Sequence, residues 1–235
     1  MNPPEIVVFD HAHPCSYLPE RTARLPYRHP LEMLSPEQFD QRLAEGDRRS
    51  GVYLYRTECP TCRACQPIRL DVERFRPNAT QRRMKRKGDE RLTVQIGPPV
   101  VDRQRVRLFN LHRDGRGLAA GDDEPIDEAA YAGFLTQTCC ETWELSYWHE
   151  GRLVAVAIAD AGRVSLSAVY CYYDPAFRGL SIGTFSVLRH VELCQATNRR
   201  YLYLGFFIAE SPHMSYKADF RPHQRLIDGR WTDCA

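Results

Sequence analysis

The pattern of apolar positions is clearest in the second half of the chain. Trp143 to His149, Leu153 to Ala159 and Val164 to Tyr173 are β-rich runs separated by the turn residues Glu150-Gly151 and Ala161-Gly162, which predicts a three-stranded antiparallel meander. From about Ser181 to Thr197 the period changes. Ile182, Phe185, Leu188, Val191 and Cys194 recur at helical spacing, the signature of a helix that buries one face, with Ser181 as N-cap and Asn198 as exit residue. A strand follows from Tyr201 to Phe207.

Earlier in the chain the signals are shorter. His13 to Pro30 is dense in Pro and Arg without a period and reads as an ordered loop with at most short strands. Ser35-Pro36-Glu37-Gln38 opens a helix that Gly46 stops, Arg48-Arg49-Ser50-Gly51 leads into the β-like run Val52 to Tyr55, and Ile68 to Val72 reads as a strand. Asn78 or Thr80 caps a short basic helix ending before Gly88, and Leu92 to Ile96 is a further strand. Gly97-Pro98-Pro99 is the best boundary, dividing the chain into residues 1–98 and 99–235. Past it, Asp102 caps a helix through Val106, Phe109 and Leu111 to Gly115, an acidic loop follows, and Ile126 to Cys140 predicts a second helix. The expected class is α/β (α+β), a larger C-terminal domain behind a smaller cysteine-containing one. The order helix, helix, meander, helix, strand resembles that of GNAT acyltransferases.

Composition adds compartment and charge. A chain of 235 residues with 43% hydrophobic residues and a formal charge of +2 is globular rather than disordered. The near-neutral mean conceals segregation: Arg69 to Arg91 carries nine Lys or Arg against four acidic residues, whereas Gly121 to Glu150 has eight acidic residues and no Lys or Arg. No stretch approaches the roughly 20 apolar residues of a membrane span, and the start has no export signal. Nine cysteines, an odd count, therefore read as reduced thiols in a cytoplasmic protein rather than a disulfide framework.

Four segments carry candidate chemistry. Arg178 to Gly183 forms a glycine-containing turn into a helix N-terminus, a place suited to phosphate or a developing oxyanion. Cys59, Cys62 and Cys65 stand at two successive C-x-x-C spacings, with Cys15 the leading fourth ligand ahead of His11 and His13; they either hold zinc or an iron–sulfur cluster or pack as reduced thiols in a tight loop. Arg82, Arg83, Lys85, Arg86 and Lys87 place five positive charges in six residues, either a solvated face or a contact for a phosphate backbone, with little aromatic interleaving. In the tail, Met214 to Lys217 mixes sulfur, aromatic and cationic side chains suited to an anion pocket.

Together, Cys15-Ser-Tyr-Leu-Pro-Glu-Arg21, Arg48-Arg49-Ser50-Gly51, Tyr55-Arg56 ahead of the cysteine loop, Pro77 to Arg83, Val169-Tyr170 through Pro175, Ser181-x-Gly183-Thr184, Tyr203-Leu204-Gly205 and Met214-x-Tyr216-Lys217 resemble the arginyl-tRNA–protein transferase family, in its bacterial aspartate/glutamate leucyltransferase branch. The resemblance covers almost the whole chain. It implies a GNAT-like enzyme that moves an amino acid from aminoacyl-tRNA to proteins beginning with Asp or Glu, marking them for N-degron proteolysis. No cofactor is required for that chemistry, because an aminoacyl ester is already activated. Onto this reading we map Asp174, Tyr170 and the backbone at Gly183 as catalytic groups, the basic run as the tRNA contact, and Arg49, Arg178, Tyr216 and Lys217 as ligands for the acidic acceptor. The family's eukaryotic members draw cysteines from two separated segments, which supports Cys15 joining the later three. Gly205-Phe206-Phe207-Ile208 departs from the Tyr and Trp its bacterial relatives tend to carry, and this apolar wall favours leucine over arginine as the transferred residue. Two rival readings are an acetyl-CoA-dependent N-acetyltransferase, from the turn at Arg178 to Gly183, and a non-enzymatic RNA-binding or redox-sensing module.

Overall fold

The computed structural model describes residues 3–117 and 124–234, so part of the acidic loop expected after Gly115 lies outside the described residues. In chain order the elements are strands β1 (Glu5–Phe9), β2 (Ala12–Pro14), β3 (Thr22–Arg24) and β4 (Tyr27–Pro30), helix α1 (Pro36–Ala44), strands β5 (Arg48–Ser50), β6 (Tyr53–Tyr55) and β7 (Gln66–Asp71), helix α2 (Ala79–Arg91), strand β8 (Thr93–Gly97), and helices α3 (Arg103–Gly115) and α4 (Glu128–Tyr131). Then come β9 (Thr142–His149), β10 (Arg152–Ala161), β11 (Ser165–Tyr173), a 3₁₀ turn at Pro175–Leu180, α5 (Ile182–Ala196), β12 (Tyr201–Phe207), α6 (Pro212–Ser215), β13 (His223–Ile227) and β14 (Arg230–Cys234).

Local chemistry explains most boundaries. Ser35 and Gln38 form a reciprocal capping box at α1, and Asn78 and Gln81 form another at α2. Asn198 takes the left-handed conformation beyond α5 (φ 54°). Ser181 is the N-cap of α5 by position, but it too is left-handed (φ 51°) and its side chain makes no capping bond. The predicted helix over 126–140 is shorter than its pattern suggested. After α4 the chain widens into one π turn at Ala132–Thr136, and Gly51, left-handed with φ 58°, packs so tightly on the Gly133 carbonyl that a Cβ there would stand 2.3 Å away.

Eight strands form one mixed sheet in the order β14-β13-β7-β12-β11-β10-β9-β8, and four more form a small sheet, β1-β4-β6-β5. The expected division at residue 98 does not coincide with the sheet, because β7 and β8 lie before it and pair with β12 and β9. These pairings are long-range, and no local signal announces them. α5 covers one face of the sheet through Phe185, Leu188 and Val191, with α2 packed on the outside of α5, while Phe109 of α3, Tyr131 of α4 and Leu135 cover the other against Val156, Ile158 and Tyr172.

Helix α2 has almost no apolar face, and it does not stop at Gly88. That glycine lies inside it because Phe185 of α5 sits where a side chain would be; a Cβ there would meet the Phe185 ring at 2.3 Å. Gly88→Ala would ordinarily stabilise a helix by about 1 kcal/mol. Here overpacking costs about 1–3 kcal/mol, so we expect a lower Tm in thermal denaturation. An unchanged or raised Tm would contradict the contact.

A cationic cleft where the central strands part

Strands β11 and β12 are parallel neighbours, but they pair only over Ser165–Ser167 against Tyr201–Tyr203. Beyond that point β12 bulges between Tyr203 and Phe206 and continues with β7, whereas β11 stays with β10. Gly205 lies at the bulge with φ 89°, a conformation that suits glycine. The centre of the sheet therefore opens into a cleft whose walls carry unpaired main-chain groups.

Two cations fill it. Arg48, projecting from β5, donates through Nη1 to Ser167 Oγ at 3.1 Å and through Nη2 to the Ala168 carbonyl at 3.2 Å. Lys217, in the turn after α6, donates through Nζ to the Phe206 carbonyl at 2.8 Å and lies 3.4 Å from Met214 Sδ. A Cβ built on Gly205 would stand 3.4 Å from both Arg48 Nη2 and Lys217 Nζ, so the two charges are at most twice that distance apart. Burial, and then the Arg48 charge, push the Lys217 ammonium down to about 7. Burial also lowers Arg48, and the phenols of Tyr55 and Tyr17 face it. Among the described residues no Asp or Glu acts on Lys217. Asp160, which acts on Arg48, is bonded to Arg49 instead. Among the described residues no carboxylate lies between these two buried cations, an arrangement whose uncompensated positive charge suits an anion.

Along the same cleft, burial pushes the Cys171 thiol up to about 11, which keeps it neutral and a poor nucleophile. Tyr216 exposes 43% of its surface, yet burial around its hydroxyl, helped by Cys171 and Tyr173 and opposed by Arg116, pushes it up to about 12.

The residues expected from sequence are distributed unevenly around this cleft. Lys217 is in it, and Tyr216 borders it. Arg49 is already paired with a carboxylate: its Nε donates to Asp160 Oδ2 at 2.6 Å and its Nη1 to the Gly51 carbonyl at 2.9 Å, both in full burial, while its Nη2 has no partner among the described residues. Successive residues on a strand point to opposite sides, and here it is Arg48 that reaches the cleft. Arg178 stands exposed on the 3₁₀ turn. Asp174 caps that turn through Ala176 N at 2.9 Å and pairs with Arg152, so its carboxylate is committed to holding the end of β11. Tyr170 lies on the α3 side of the sheet, its ring 5.5 Å from both Phe109 and Phe134. Gly183 opens α5, with nothing within 4 Å of a Cβ. On α2, Arg82, Arg83, Arg86 and Lys87 are exposed, while Lys85 is tied to Asp89 at 2.5 Å and Glu192 at 2.7 Å.

Burial, and then Cys15, Cys59 and Cys62, push the Cys65 thiol up to about 12. The four sulfurs are thus neighbours, beside Lys217. Among the described residues no group of three His, Cys, Asp or Glu is arranged to hold a metal ion. The arrangement does not fit a cluster or zinc, and no step below runs through one.

Fold and site define an α/β protein whose split central sheet holds two buried cations, Arg48 and Lys217, from distant parts of the chain. The family model for the C terminus of arginine-tRNA-protein transferase matches residues 104–227, and that for its N terminus matches residues 13–83. The chain belongs to the arginine-tRNA-protein transferase family. A curated relative from Halorhodospira halophila, named aspartate/glutamate leucyltransferase, is 39% identical over 222 residues, covering 94% of this chain and 93% of that protein. A relative of the same name from Vibrio campbellii is 37% identical over 223 residues, covering 93% of each. Among solved structures, L-PGS from Bacillus licheniformis aligns with 62% of this chain and 47% of its own at a TM-score of 0.45 and 13% identity.

Proposed function

We propose that this protein transfers leucine from leucyl-tRNA to the α-amino group of proteins beginning with Asp or Glu, and so marks them for N-degron proteolysis. The observation that carries the reading is the Arg48–Lys217 pair, buried at the parting of β11 and β12 without a carboxylate of its own. An incoming Asp or Glu side chain supplies the missing negative charge. Its α-amine is then positioned at the cleft mouth. There the amine nitrogen bonds to the ester carbonyl carbon, the carbon–oxygen bond to the tRNA ribose breaks, and the proton lost by the amine ends on the released hydroxyl. The neutral Cys171 thiol favours this direct attack over a covalent acyl-enzyme.

In the same reading the first turn of α5, Gly183 included, offers unbonded N–H groups to the developing oxyanion. Asp174 acts as a positioning residue that fixes the β11 end, and Tyr170 supports β11 from behind. Phe206 and Ile208, both buried, provide the apolar wall that leucine requires. The element order supports a GNAT-like description of the transfer domain. The nine free cysteines and the tRNA donor support a cytoplasmic site of action; among the described residues no helix is long and apolar enough to cross a membrane.

The test is a transfer assay with peptides beginning with Glu, Asp, Gln or Lys, supplied in parallel with labelled leucyl-tRNA, arginyl-tRNA or acetyl-CoA. We expect label from leucyl-tRNA on the Glu and Asp peptides only. Label from arginyl-tRNA instead would overturn the donor pocket, and equal labelling of Gln peptides would overturn the role of the cation pair.

A further inference from the structure

A cavity of about 230 Å³ lies away from the cation pair, lined by Lys87 and Arg91 of α2, His149 at the end of β9, and Phe177, Gly179 and Leu180 of the 3₁₀ turn. Its frame is fixed by hydrogen bonds. Lys87 Nζ donates to the Gly179 carbonyl at 2.8 Å, and His149 Nδ1 bonds to the Arg91 carbonyl at 3.0 Å, tying helix, strand and turn together. The His149 ring stands edge-on to Phe177 with centroids 5.2 Å apart, and the Arg152 guanidinium lies 5.7 Å from the Phe177 centroid. The wall at Gly179 is open, with nothing within 4 Å of a Cβ.

The charges of Lys87 and Arg91 are not neutralised by a carboxylate among the described residues; Asp89, the nearby acid on α2, is turned to Lys85 and Arg189. Arg83, Lys87 and Arg91 follow one another at four-residue steps, which on a helix sets one cation about every 6 Å along a single face. That row runs about 12 Å, longer than a diphosphate, and ends at an aromatic floor. A row of cations leading to an aromatic ring is the arrangement that holds single-stranded nucleic acid, phosphates on the cations and a base on the ring.

We propose that this cavity is a nucleotide subsite for the single-stranded 3′ segment of the donor tRNA, with one phosphate on Lys87 and Arg91 and one base against Phe177 and Leu180. The inference rests on the aminoacyl-tRNA reading above and deepens it. The turn that forms the cavity continues directly from β11, whose last residue, Tyr173, acts on the hydroxyl of Tyr216, the neighbour of Lys217, so a nucleotide seated here leads the charged 3′ end toward the cation pair. Arg82 and Arg86, beside the row on α2, extend the contact toward the acceptor stem.

The first experiment measures binding of a fluorescent single-stranded RNA of about eight nucleotides ending in CCA to the full-length protein, which needs no transfer activity. Phe177→Ala should weaken binding about tenfold. Arg91→Glu should weaken it similarly and reduce the dependence of log Kd on log salt by about one. Arg103→Glu, which removes an exposed arginine on α3, serves as the charge control and should bind as the wild type does. The second experiment compares donors: Phe177→Ala should raise KM for leucyl-tRNA about tenfold, leave KM for the acceptor peptide unchanged, and transfer from 2′(3′)-O-leucyl-adenosine at the wild-type rate. Unchanged RNA affinity in Phe177→Ala and Arg91→Glu overturns the subsite, as does an equal loss on the short donor. Competition of coenzyme A for the oligomer would make the cavity a diphosphate site and overturn it as well. If the oligomer binds as expected but the wild type transfers nothing from leucyl-tRNA, the transfer reading fails while the nucleotide subsite stands.

Discussion

Lys217→Met is expected to make the protein more stable and nearly inactive on acidic acceptors. In the unfolded chain this lysine titrates near its ordinary 10.5, whereas in the fold burial and Arg48 bring it to about 7. Between those values the unfolded state holds more protons, so the wild type gains stability from this group as pH rises from about 7 toward 10.5. Below about 7 the fold carries the full penalty of a buried charge, roughly 3–5 kcal/mol. Met keeps the length and apolar stem and removes that penalty. Thermal melts at pH 6 should therefore place Lys217→Met above the wild type, with the gap closing at alkaline pH.

Activity should move the other way. Loss of a buried charge-assisted bond to the acceptor carboxylate costs about 2–5 kcal/mol, a KM increase of about 30-fold or more for a Glu peptide. In the wild type, that KM should climb as pH rises through about 7, because the neutral amine no longer attracts the carboxylate. Lys217→Met should lack this dependence. A variant less stable than the wild type at every pH, or one with an unaltered KM, would refute the assignment.

Arg49→Met should show the reverse pattern, a large loss of stability with no specific effect on the acceptor. Arg49 and Asp160 are side chains only 1% and 0% exposed, so removing the arginine leaves a buried carboxylate with Thr142 Oγ1, at 2.8 Å, as its remaining side-chain partner. Breaking one half of such a pair costs about 3–5 kcal/mol, which for a chain of this size lowers Tm by roughly 10 °C. The double variant Arg49→Met with Asp160→Leu should recover much of the loss, since the stranded charge is gone. An acceptor KM raised in Arg49→Met at temperatures where it is fully folded would return Arg49 to the binding site.

These two predictions separate residues that look equivalent in sequence. Arg48 and Arg49 are adjacent, and the pattern marks the pair without saying which faces the cleft. That depends on how β5 is laid against β10 and β11, which strand alternation alone does not fix. The sequence singled out Lys217 for its chemistry, but its depressed charge comes from burial in the folded chain and then from an arginine remote in sequence. The basic run on α2 was legible as a charge pattern. That its cations continue to Arg91, and end beside a phenylalanine from another element, became visible only with the turn at Pro175–Leu180 in place.

By itself the sequence determined the features that neighbours in the chain can encode. These are the capping boxes at Ser35 and Asn78, the helical spacing from Ile182 to Cys194, the meander from Thr142 to Tyr173, and the motifs that carry the family resemblance. Tertiary structure alone decided the long-range pairings. It placed β7 and β8 in the large sheet, required glycine at position 88 to admit Phe185, and parted β11 from β12 after three paired residues. The physical reason is range: caps and periodicity satisfy hydrogen bonds and burial within a few residues. A cleft, and the charges that cannot escape one another inside it, arise only when distant segments compete for the same space.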